Sequence, residues 1–198
     1  MIKTSLSKIF LESIEVKLNL LRDADFMGAV ESVGGIIINT LKNGNKILIA
    51  GNGGSAADAQ HFAAELAGKF VNPNRRGLPA IALTANSSIT TAIGNDFGYE
   101  FVFSRQLEAL GNAGDVFVAI STSGNSKNIL QALASAKRAS LFTIGLTGNN
   151  GGLMGDLCDL KLVVPSSNTQ YIQEAHIMII HGLCLLVDSA FENEQDIH

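Results

Sequence analysis

Five short apolar runs, each separated from the next by a longer segment, constrain this chain more than any other feature. Lys46-Ile47-Leu48-Ile49-Ala50, Pro79-Ala80-Ile81-Ala82-Leu83, Val116-Phe117-Val118-Ala119-Ile120, Leu141-Phe142-Thr143-Ile144-Gly145-Leu146 and Leu160-Lys161-Leu162-Val163-Val164 are nearly continuous in apolar residues. A strand wetted on one face alternates apolar and polar residues, whereas a strand covered on both faces does not. Between the runs lie segments of helical period, Ser55 to Phe70, Tyr99 to Leu110 and Ser126 to Ala139. This alternation predicts an α/β fold, a five-stranded parallel sheet in an αβα sandwich, with ligands bound at the C-terminal ends of the strands.

Helical patterns also stand at both ends. Ser5 to Leu21 and about Asp25 to Leu41 form an N-terminal pair, the second closing at Asn43-Gly44. The last helix, Thr169 to Phe191, is apolar nearly all round from Ile177 to Val187, and such a helix is normally fully buried. Packing against another copy of the chain is the simplest way to bury it at a terminus. Without repeats, low-complexity tracts or a linker, residues 1–198 read as one domain, with 1–44 serving oligomerisation and 45–198 forming the sandwich.

Composition agrees. Charged residues are 16% of the 198, below the usual quarter, so the chain has a large core or hides surface in an oligomer. The net charge of −4 gives no electrostatic reason to expect nucleic acid or an anionic membrane as partner. No run approaches 18 uncharged apolar residues, and charges interrupt any signal-like segment after Met1, so a cytoplasmic location is expected. Cys158 and Cys184 are too few for a disulfide framework, and Cys184 within Gly-Leu-Cys-Leu-Leu reads as a buried, inert thiol.

Two loops follow strands and open helices. Gly51-Asn52-Gly53-Gly54-Ser55-Ala56 formally fits a dinucleotide fingerprint, but no acidic residue for a ribose follows about 20 positions on, and no Gly-Lys-Ser/Thr makes it a Walker loop. Its glycines still let backbone amides approach an anion at a helix N-terminus. Ser121-Thr122-Ser123-Gly124-Asn125-Ser126 carries four hydroxyls in six residues. One suffices for an N-cap, and the rest suit a tetrahedral phosphate without a lysine. Thr147-Gly148-Asn149-Asn150-Gly151-Gly152 reads as a turn.

His61 and Glu65 are an i, i+4 pair on one helix face. On the last helix Gln173 and His181 are separated by about 80° around the axis, and His176 lies about 60° to the far side of Gln173. Imidazole and carboxylate are ordinary zinc ligands, and an amide oxygen a rarer one. This spacing is shared with ordinary helical histidines. However, a His inside Ile177-Met178-Ile179-Ile180-His181 needs a partner to offset its burial. His176 reads as structural or as a support behind the ligands.

Taken together, Gly51-Asn52-Gly53-Gly54-Ser55, His61-Phe62-Ala63-Ala64-Glu65-Leu66, Gly94-Asn95-Asp96-Phe97, Ser121 to Ser126, and Ile172-Gln173-Glu174-Ala175-His176 with His181 resemble the phosphoheptose isomerase family of the sugar isomerase (SIS) fold, in order and over nearly the whole chain. The resemblance implies a homotetramer converting sedoheptulose 7-phosphate to D-glycero-D-manno-heptose 7-phosphate, for the heptose of lipopolysaccharide core, with sites shared between subunits. It places the phosphate on Ser55, Ser121, Thr122, Ser123 and Ser126, and the sugar against Asn52, Gly53, Gly54, Glu65, Asn95, Asp96 and Gln173. It also implies zinc on His61, Glu65, Gln173 and His181, with Glu65 and His181 as the acid–base pair. Tyr171 departs from the Arg that the family often has at this position. The alternative is the non-catalytic SIS relative that binds the bacterial replication initiator, which shares Ala59-Gln60-His61-Phe62-Ala63-Ala64. That group lacks counterparts of Glu65 and His181, both present here.

Overall fold

The computed structural model describes residues 5–192; the outermost residues of the expected single domain, 1–4 and 193–198, lie outside that range. The strands are β1 (Ile47–Ala50), β2 (Ala80–Ala82), β3 (Val116–Ser121), β4 (Phe142–Gly148) and β5 (Leu160–Val164). All pair in parallel in the order β2-β1-β3-β4-β5, as the apolar runs predict. After β2 the chain crosses back to the other side of β1, so the winding reverses between β1 and β3. Loops leaving two strands there diverge and open a crevice. The glycine loop after β1 and the hydroxyl loop after β3 flank that crevice.

Among the described residues seven α-helices surround the sheet: α1 (Leu6–Arg22), α2 (Ala24–Lys42), α3 (Gly54–Ala67), α4 (Ser87–Asp96), α5 (Ser104–Leu110), α6 (Lys127–Arg138) and α7 (Thr169–Ala190). The two-residue period of β3 divides the core. Val116, Val118 and Ile120 face α2, α3 and α7, while Phe117 and Ala119 face α5 and α6. Helix α4 offers only the short stripe Ile89, Ala92 and Ile93, and Ser-Ser-Ile-Thr-Thr carries low helix propensity, so its pattern is weak. Its signal is the cap: Asn86 Oδ1 accepts from Ile89 N at 3.0 Å. The expected helix from Tyr99 divides into a 3₁₀ turn, Tyr99–Phe101, and the shorter α5.

The last helix is buried differently from the sequence expectation. One face, including Ile172, Ala175, Ile179, Ile180, Leu183 and Val187, fills the core of its own chain. Its opposite side leaves Met178, Leu185 and Leu186 exposed. By length and mean hydropathy α7 is long and apolar enough to cross a membrane, but half of its most apolar stretch is buried in the sandwich. Cys184 lies in that core, and burial pushes its thiol up to about 12.

His176 is also in the core, fully buried, with its Nε2 at 3.1 Å from the Thr147 carbonyl oxygen. Burial lowers its pKa to about 4, the bond to Thr147 only partly offsetting that. It is therefore the structural histidine. The unfolded chain binds this proton near pH 6.5 and the folded one near pH 4, so stability falls as pH drops through that interval. Between pH 7.5 and 4.5 the group costs about 2–3 kcal/mol. Urea unfolding of His176→Gln at both pH values should show an acid loss smaller by about that amount.

Candidate active site

The glycine loop is shaped by contacts that exclude side chains. A Cβ on Gly51 would collide with the backbone of Ser55, and Gly53 sits at φ +56°. Ser55, expected to hold phosphate, is buried beneath this loop. A Cβ on Gly54 would strike the side-chain amide of Gln173, so α7 reaches the first residue of α3 because glycine stands there.

The hydroxyl loop begins at buried Ser121, whose Oγ lies 3.0 Å from Ser126 Oγ. Ser126 occupies the N-cap position of α6 without a side-chain cap bond, its hydroxyl turned to Ser121 instead. The segment read as a turn after β4, together with the 3₁₀ turn Leu153–Asp156 that follows it, braces this loop. Gly148 N donates to Thr122 O (3.1 Å), Met154 N to Gly124 O (2.9 Å) and Leu153 N to Asn125 Oδ1 (3.0 Å). Gly124 has φ +66°, and a Cβ there would collide with the Gly151 carbonyl. Thr122, Ser123 and Asn125 also line a polar cavity of about 230 Å³ with Asn149, Asn150, Ser167 and Thr169. Those last four polar residues carry no joint signal in the sequence because they come from two loops distant along the chain.

The helices carry the titratable groups. His61 on α3 and His181 on α7 face each other, Nε2 to Nε2 at 2.9 Å, with Phe70 packed beside the His181 ring. Glu65 Oε1 is 3.7 Å from His61 Nε2. Among the described residues no three His, Cys, Asp or Glu side chains converge as a ready metal site. The donor chemistry nevertheless suits zinc. Two Nε2 ligands on one tetrahedral ion stand about 3.3 Å apart, close to the spacing of this pair, and a carboxylate is adjacent. Gln173 is at the Gly54 end of α3, about 10 Å along the helix from His61, so within one chain the fold keeps it apart from the two imidazoles.

Asn95 and Asp96 end the exposed helix α4 and are bonded to each other (2.8 Å). Tyr171, at the family's Arg position, is buried and donates from its hydroxyl to Glu12 Oε2 on α1 at 2.9 Å. Beside it, Glu174 bonds to Lys17 and Ser13, and these partners hold its carboxyl below the usual range despite some desolvation. The position thus ties α7 to α1.

A parallel sandwich with a hydroxyl loop opening α6 at the switch point defines the SIS class, and the SIS domain profile matches residues 10–148. A phosphoheptose isomerase of Campylobacter concisus is 57% identical over 167 residues, 84% of this chain and 88% of that protein. One from Aneurinibacillus thermoaerophilus is 53% identical over 92% of each chain. The solved phosphoheptose isomerase of Neisseria gonorrhoeae superposes with a TM-score of 0.87 at 44% identity, covering 93% of this chain and 97% of that one. The chain belongs to the phosphoheptose isomerase family.

Proposed function

We propose that this protein interconverts sedoheptulose 7-phosphate and D-glycero-D-manno-heptose 7-phosphate by proton transfer through an enediol. The observation that carries this reading is the facing of His61 and His181, with Glu65 alongside, about two turns along α3 from the glycine loop. That separation, roughly 10 Å along the helix, suits a seven-carbon phosphate ester. With its phosphate on the loops, its C1–C2 end reaches the histidines.

Glu65 and His181 move the proton between C1 and C2 and between their oxygens, one as base and the other as acid. The hydroxyls of Ser121, Thr122, Ser123 and Ser126 hold the phosphate, with Ser55 supporting the glycine loop from below. Gly53, Gly54, Asn95 and Asp96 surround the sugar, and Asn52, on the same glycine loop, faces the phosphate end. Zinc would be held by His61, His181 and Glu65, whereas Gln173, the fourth ligand expected from the resemblance, stands too far along α3 to join them within one chain. When bound it supplies Lewis-acid polarisation of the carbonyl or hydroxyl oxygen.

A homotetramer is part of the proposal. Helix α1 leaves Leu6, Phe10, Leu11, Ile14, Leu18 and Leu21 exposed, and an apolar groove of about 390 Å³ runs between α1, α2 and α7. Helix α4, with Asn95 and Asp96, has no buried residue of its own. A second copy covering these faces would complete the site from two chains. We place the enzyme in the cytoplasm, its heptose product feeding lipopolysaccharide core synthesis. The test is turnover of sedoheptulose 7-phosphate by zinc-replete protein, followed by NMR, with light scattering for the mass. Absence of heptose 7-phosphate overturns the activity, and a monomer overturns the shared site.

A further inference from the structure

Asn52, at the tip of the glycine loop, does not stand free toward the crevice. Its Nδ2 donates to Asn128 Oδ1 at 2.9 Å, and Asn128 Nδ2 donates back to Asn52 Oδ1 at 2.8 Å. Tyr99 OH donates to the same Asn52 Oδ1 at 3.1 Å. An amide oxygen accepts two hydrogen bonds and an amide nitrogen donates two. Asn52 Oδ1 is therefore filled, and one N–H of Nδ2 remains unassigned. Asn128 is buried in the first turn of α6, two residues after Ser126. The reciprocal pair thus joins the glycine loop after β1 to the helix opened by the hydroxyl loop after β3. It bridges the two sides of the crevice at the switch point.

We propose that Asn128 and Tyr99 are positioning residues. They clamp the glycine loop against α6 at a fixed width and leave Asn52 to present a single N–H, a donor, to an anionic oxygen. This rests on the reading that the two loops share one phosphate. Two consequences separate the clamp from ordinary packing. Asn128 acts through Asn52, so its removal should matter only while Asn52 is present. Tyr99 is exposed, so losing its hydroxyl should alter binding with little effect on folding.

The test uses the full-length protein with inorganic phosphate as the probe, measured by calorimetry for the wild type, Asn52→Ala, Asn128→Ala, the double variant and Tyr99→Phe. Amide hydrogen exchange of residues 51–55 is followed without ligand. Asn128→Ala should weaken phosphate binding about five- to tenfold, as expected for one or two lost hydrogen bonds, and Tyr99→Phe about two- to fivefold. The double variant should match Asn52→Ala within about twofold. Exchange of the loop amides should quicken in Asn128→Ala at unchanged global stability, or beyond what any loss of global stability accounts for. Additive losses in the double variant, or unaltered loop exchange in Asn128→Ala, overturn the clamp. If the wild type does not bind phosphate, the shared-phosphate reading fails, and the exchange measurement decides the clamp alone.

Discussion

Replacing Glu65 by Gln, or His181 by Gln, lowers kcat by about 10²–10⁴ while changing KM for the sugar phosphate far less. The asymmetry follows from where the groups stand. The phosphate is assigned to the loops at the start of α3 and α6, whereas Glu65 and His181 lie about three turns into α3 and α7. Losing either removes a proton carrier without removing the main binding contacts, so the loss falls on the chemical step. Gln preserves the volume of Glu65 and an oxygen that can still approach zinc, but it cannot take up a proton at neutral pH. Titration with excess zinc separates the two roles. A variant that regains activity as zinc rises has lost mainly a ligand, and one that stays inactive at saturating zinc has lost mainly a base. Full activity in both variants would remove these residues from the mechanism.

Asp188→Asn destabilises the fold by about 3–5 kcal/mol, lowering Tm by about 10 °C. Asp188 Oδ1 accepts from Arg75 Nε at 2.6 Å, and Oδ2 accepts from Val71 N and Asn72 N at 2.7 and 2.9 Å. The Arg75 side chain is fully buried and also donates to the carbonyls of Leu66 and Glu65 at the end of α3. Burial pushes the Asp188 carboxyl up, but the Asn72 and Val71 N–H groups and Arg75 more than offset it and hold it below the usual range. The carboxylate is thus charged at neutral pH, and its contribution is lost only as pH falls through the lowered value. The neutral amide that replaces the carboxylate cannot balance the charge of a guanidinium that has no access to water. Arg75→Met with Asp188→Leu should recover part of the loss because no charge is stranded, but not all, since Val71 and Asn72 lose their acceptor. Chemical denaturation of the singles and the double decides this. A double variant no better than the worse single overturns it.

The same pair reaches function. It ties the end of α3, including the Glu65 carbonyl, to α7 seven residues beyond His181. Loosening it should shift His61 against His181 and reduce turnover even where the protein remains folded.

The central strands β1, β3 and β4 were legible because burial on both faces leaves no other composition open to them, while the edge strands β2 and β5, which leave Ile81 and Lys161 exposed, were legible from apolar content alone. The two loops were legible because glycines and clustered hydroxyls have few other uses at strand-to-helix junctions. His61 with Glu65 was legible as a spacing on one helix. What tertiary structure decided concerns residues joined across the chain. His181 meets His61 across 120 positions. Asn52 is paired with Asn128 across 76 positions and keeps one N–H for a ligand, and Tyr171 turns to Glu12 instead of supplying a charge. Gln173 lies against Gly54, away from the imidazoles that the spacing on α7 suggested it would join. Periodicity fixes which face of a helix a residue occupies, since that depends on angle around one axis. The height at which two helices meet is set by packing, here by a glycine at one end and by the Arg75–Asp188 pair at the other. That register is a property of the folded sandwich and has no local signature in the sequence.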